Sequence, residues 1–165
     1  MASESDRSWQ KRAQALRTLS ATPGQIESLA HGLSSGQLRQ RPAEREWSMS
    51  EIVRHLLLGE RDVILPRLCR MREEDAPVFL SSLVDRTGFA GDPVPGDFDA
   101  DLRGFRMVRE ETLAFLRTLA EHDWRRLGTT PTRGTLSIEE YVAYLANHDL
   151  EHLDQLERTR RVVCR

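Results

Sequence analysis

The stretch Trp47-Ser-Met-Ser-Glu-Ile-Val-Arg-His-Leu56 decides the fold, and Leu136-Ser-Ile-Glu-Glu-Tyr141 repeats its opening. In each, a serine stands three residues before a glutamate: Ser48 before Glu51, Ser137 before Glu140. At that spacing the hydroxyl caps the glutamate's backbone N–H, and the carboxylate returns the bond to the serine's own N–H. Trp47 with Ile52, and Leu136 with Tyr141, supply the apolar pair that pins the incoming chain. Apolar residues then recur at helical spacing, through Ile52, Leu56, Val63 and Ile64 to about Met71, and through Ile138, Val142 and Leu145 to about Arg160. Pro66 is expected to kink the first of these helices or end its regular part, because it lacks an N–H and crowds the preceding turn.

Outward from these, Ser8 to Leu33 carries a third stripe (Trp9, Ala13, Leu16, Ile26, Leu29, Ala30, Leu33). It is interrupted at Thr22-Pro23-Gly24, where Thr22 reads as an N-cap with proline at the first helical position, so two helices or one kinked helix are expected. A fourth stripe, Leu102, Phe105, Val108, Thr112, Phe115 and Leu119, predicts a helix from Asp99 to about Ala120. Between them, residues 72–97 are broken by Pro77, Gly88, Gly91, Pro93, Pro95 and Gly96, with Val78–Val84 as a short helix inside. So long a connection in a compact domain is either a surface excursion or a lid over a site. The loop Gly128–Gly134 is rich in turn residues, and no strand pattern is evident. Four long helices without strands imply an all-α four-helix bundle.

A chain of 165 residues fits a single domain over 1–165, with its core at about 8–161. Charged residues are 30% and hydrophobic ones 39%, a balance that supports a packed core. The net charge of −2 speaks against binding nucleic acid through phosphate neutralisation. No run approaches the roughly 20 apolar residues that span a bilayer, and the polar, acidic start does not read as a signal peptide; a cytoplasmic protein without a membrane partner is expected. Cys69 and Cys164 lack the spacing of a redox or zinc motif.

Chemistry centres on His148-Asp-Leu-Glu-His152. Histidines four apart lie one turn apart on one helical face and suit a shared metal ion. They continue the apolar stripe from Leu145, where two imidazoles are costly unless hydrogen-bonded or metallated. Alone, the pair is more often two satisfied core or surface histidines than a metal site. His55, between Ile52 and Leu56, adds a third imidazole on an apolar face; three ligands leave a position open for water or substrate. His31 and His122 fall off the stripes and read as surface residues. Rival motifs fit poorly. His148–His152 matches H-x-x-E-H, but that site needs a ligand well downstream and 13 residues follow. A di-iron bundle needs Glu-x-x-His, which the chain lacks. Asp62, seven residues from His55, and Glu51, four before it, are candidates to orient an imidazole. Arg109, four after Phe105, would hold a substrate carboxylate or form a surface salt bridge.

The stretch from Glu46 to Leu56, with Gly134-Thr-Leu-Ser-Ile-Glu-Glu-Tyr and His148-Asp-Leu-Glu-His152-Leu-Asp-Gln155, resembles the DinB-like superfamily. The similarity extends from about Leu16 to Arg160 and includes Trp124 and the Pro131–Gly134 turn. It implies a four-helix bundle with one divalent ion, zinc or nickel foremost, on His55, His148 and His152. It also implies chemistry with a low-molecular-weight thiol as cosubstrate (mycothiol, bacillithiol or glutathione). The expected function is then a metal-dependent thiol S-transferase acting on small molecules. The alternatives are a metal-dependent hydrolase, for which Asp62 or Glu51 would be the base, and a non-catalytic metal-binding protein of the stress response. Such bundles commonly pair, so a homodimer is compatible with the sequence.

Overall fold

The computed structural model describes residues 4–80 and 96–165, with side chains from residue 7 onward. Its elements are α1 (Glu4–Ala30), α2 (Ser35–Arg39), α3 (Met49–Gly59), a π-helical turn (Glu60–Ile64), α4 (Leu65–Glu73), α5 (Phe98–Arg117), a 3-10 turn (Asp123–Arg125), β1 (Leu127–Thr130), β2 (Gly134–Ser137) and α6 (Ile138–Val163). The chain is a four-helix bundle: α1, the continuous run from α3 through α4, α5 and α6 are its four members. Both capping boxes form. Ser48 accepts from the Glu51 N–H and Ser137 from the Glu140 N–H, and each glutamate returns its carboxylate to the serine.

Three local expectations change. Pro23 neither splits nor restarts α1, which runs unbroken from Glu4 to Ala30. Thr22 is no N-cap: it is fully buried, and its hydroxyl donates to the Thr18 carbonyl at 3.0 Å. Pro23 has no N–H for the Leu19 carbonyl one turn back, and that carbonyl instead accepts from Arg109 Nη1 at 2.9 Å. A partner from another helix thus removes the local reason to break. The absence of strands is corrected as well, since β1 and β2 form an antiparallel hairpin with Gly128 opposite Leu136. Residues 77–79 lie extended beside β1, with Phe79 N–H on the Thr129 carbonyl and Thr129 N–H on the Pro77 carbonyl, both at 2.9 Å. The helix expected at Val78–Val84 therefore does not begin at Val78; residues 81–84, and most of the expected lid, lie outside the described residues. Gly128 lets this edge pack closely, because a Cβ there would sit 2.7 Å from Met71 Cγ.

Pro66 acts as anticipated in place but not in kind. The helix around it continues, and the missing N–H is absorbed by the π turn just before, where Leu65 N–H bonds the Glu60 carbonyl five residues back.

Two apolar clusters fill the bundle. One gathers Leu19, Leu68, Met71, Leu116, Ile138 and Leu145. The other gathers Ile26, Ile52, Leu56, Phe105, Val108 and Leu156. Between them in sequence on every contributing helix sits a charged layer, Glu60, Arg109 and Asp149, whose side chains are at most 1% exposed. No helix among the described residues is long and apolar enough to cross a membrane.

Candidate metal centre

His55 lies in α3, two turns after the Ser48 cap, while His148 and His152 lie one turn apart in α6. The bundle brings the three rings together. His148 Nε2 is 3.3 Å from His55 Nε2 and 3.0 Å from His152 Nε2. An ion held tetrahedrally by imidazole bonds of about 2.0–2.1 Å separates its nitrogens by about 3.3 Å, so this spacing fits one divalent ion among the three. Protonation fits too. Burial, helped by His152 and His55 nearby, pushes His148 down to about 3. Burial also lowers His152, outweighing the hydrogen bond to Gln155 and the nearby Asp149 and Glu151, which pull it upward. Neutral rings keep the lone pairs that a metal requires.

The surroundings fix the rings. His152 Nδ1 lies 2.9 Å from Gln155 Oε1, so the ring proton sits on Nδ1 and Nε2 presents its lone pair to the cluster. Trp47 packs beside His55 with centroids 5.1 Å apart and stacks on His152 at 6.3 Å. Tyr144 borders His148 at 5.9 Å. His148 Nδ1 is buried without a hydrogen-bond partner, which leaves its Nε2 side, facing the other histidines, as the ring's polar contact. His31 and His122 are exposed.

Of the three supporting candidates, Asp62 and Glu51 are engaged away from the histidines, and Arg109 lines the pocket beside them with its donors already taken. Asp62 is half exposed and paired with Arg61 at 2.7 Å. Its expected place on the His55 face assumed regular α-helical phase; the π turn adds a residue and brings Val63, eight from His55, into the pocket lining instead. Glu51 is buried and committed to its cap and to Arg41. Burial pushes its carboxyl up, but the Arg41 and Ser48 bonds prevail and hold it below the ordinary range. Arg109 forms neither a surface salt bridge nor an open carboxylate clamp. It is buried between Glu60, at 2.8 Å from Nε, and Asp149, at 3.1 Å from Nη2, with Nη1 on the Leu19 carbonyl. All five of its N–H donors are occupied.

Glu60 and Asp149 were not singled out from the sequence, although each stands four residues after a stripe leucine, Leu56 and Leu145. A charge on a stripe was the available signal, and Arg109, four after Phe105, is its counterpart of opposite sign. Above this layer a pocket opens on His55 and His148, walled by Tyr141, Tyr144, Arg67 and Arg133. Arg133 comes from the hairpin turn, where no periodicity marks it.

The family model of the DinB superfamily matches residues 18–156. The chain is 26% identical over 147 residues to YuaE of Bacillus subtilis (strain 168), named as an uncharacterised protein, covering 81% of this chain and 90% of that one. Its structure is similar to that of YfiT from Bacillus subtilis, with a TM-score of 0.81 at 17% identity over 98% of this chain and 89% of that chain. YfiT is described as a probable metal-dependent hydrolase with an unusual four-helix bundle topology.

Proposed function

This chain belongs to the DinB superfamily, and we propose that it is a metal-dependent enzyme that holds one divalent ion on His55, His148 and His152 and transfers a low-molecular-weight thiol to a small electrophile. A divalent cation at this position would lower the pKa of a thiol or water placed beside it. The observation that carries the choice of thiol is the state of the pocket's carboxylates. Both Glu60 and Asp149 are locked on Arg109, and Asp62 and Glu51 are committed elsewhere. Hydrolysis generally asks a base to take a proton from water and return it to the leaving group. A thiol, with a pKa of about 8.5 against about 15.7 for water, loses its proton with far less help. The chain's own part is to orient His152 through Gln155, to wall the histidines with Trp47 and Tyr144, and to receive the small molecule in the pocket.

A second reading, metal-dependent hydrolysis, is favoured by the structural likeness to YfiT. Two panels separate them: an arylating electrophile offered with glutathione, bacillithiol or mycothiol, and a set of esters and amides offered without thiol. Thiol-dependent turnover that vanishes on chelation and returns with zinc or nickel is expected. Metal-dependent hydrolysis without thiol would install the second reading, and no metal-dependent turnover in either panel would overturn both.

A further inference from the structure

The pocket beside the histidines contains a cation that the site so far described does not use. Arg133 stands on the turn between β1 and β2 and lines the pocket with Tyr144 and His148. Its guanidinium carbon lies 3.5 Å from the centre of the Tyr144 ring, and Tyr144 in turn borders His148 with centroids 5.9 Å apart. A guanidinium stacked on an aromatic face is held by the ring while its N–H donors, which lie in its own plane, stay available at the edges. Among the described residues, no carboxylate forms an ion pair with Arg133 and none of its side-chain donors is hydrogen-bonded. The contrast with Arg109 in the same pocket is complete, since every donor there is taken by Glu60, Asp149 or Leu19. Among the described residues, Arg133 shares this lining with the buried Arg109, Glu60 and Asp149.

We infer that Arg133, held on Tyr144, is a specificity-determining residue that binds an anionic oxygen group, a carboxylate in the simplest case, on a small molecule whose other end reaches the three histidines. The inference deepens the proposed function and rests on the histidines holding an ion; the ligand class it names is a bifunctional one, with a metal-seeking group at one end and an oxyanion at the other. Tyr144 is a positioning residue: it fixes the plane of the guanidinium and so the direction of the donors.

The test is titration of the cobalt(II)-substituted protein, read by its visible absorption, with two matched pairs of probes. The thiol pair is 3-mercaptopropionate and 2-mercaptoethanol; the thiol-free pair is glutarate and butyrate. Wild type should bind the member carrying the extra carboxylate about tenfold more tightly in each pair, the effect of one charge-assisted hydrogen bond. Arg133→Gln should abolish that preference while leaving cobalt content and the affinity for 2-mercaptoethanol and butyrate unchanged. Tyr144→Phe keeps the ring and should keep the preference, and Tyr144→Leu should weaken it. If neither thiol perturbs the spectrum, the thiol reading fails while the glutarate and butyrate pair still decides the oxyanion subsite. Absence of any preference in wild type, or an equal loss for both members of a pair in Arg133→Gln, overturns the inference.

Discussion

The two nitrogens of His152 face different neighbours, Nδ1 toward Gln155 and Nε2 toward His148. Gln155→Leu removes the group that holds the proton on Nδ1, so metal affinity should fall about 10–100-fold, as measured by competition with a chromogenic chelator. An unchanged affinity would show that the ring is positioned by Trp47 and packing alone. Arg109 makes a prediction of another kind. Its buried guanidinium faces two buried carboxylates, and Arg109→Met would leave both uncompensated, at a cost of about 3–5 kcal/mol in urea unfolding. A loss below about 1 kcal/mol would mean that the charged layer relaxes or admits water. His55, His148 and His152 were legible in the sequence because a histidine on an apolar stripe is conspicuous. Arg133 was not, since a turn has no period against which a residue stands out.

Helix starts were the most readable elements. A capping box is a local device, and both form as their spacing requires. Ser137→Ala should cost about 1 kcal/mol of stability. The acid response follows from the same devices. Glu51 titrates below its unfolded value, so its contribution is fully present above the ordinary carboxylate range and is lost as pH falls through its folded value. Glu51→Gln should flatten the acid side of the stability curve between those two values; a curve of unchanged slope would assign the acid response to other carboxylates. What failed at this scale failed for a non-local reason. Asp62 seven after His55 would share its face in a regular helix, but the turn before Pro66 is π-helical and shifts the phase. Pro23 is tolerated in α1 because Arg109, 90 positions from Leu19 in sequence, supplies the donor that the Leu19 carbonyl lacks. Neither compensation is written in the residues next to the proline. The hairpin was missed because four-residue strands are too short to show alternation.

At the scale of the whole molecule, the bundle puts three imidazoles from two helices at one point, with a charged layer beside them. Glu60, Arg109 and Asp149 tie three helices together through buried ion pairs, between the two apolar clusters. The order of helices and the separation of His55 from the His148–His152 pair could be read from the sequence. That the two faces meet, with Nε2 atoms 3.0 and 3.3 Å apart, required the fold. The central claim is therefore that folding assembles one metal site from His55, His148 and His152. Divalent metal content of wild type and His152→Ala, purified side by side without chelator and checked for folding by circular dichroism, tests it most directly. About one ion per wild-type chain is expected, with little in the folded variant; equal metal in both would overturn the three-histidine assignment.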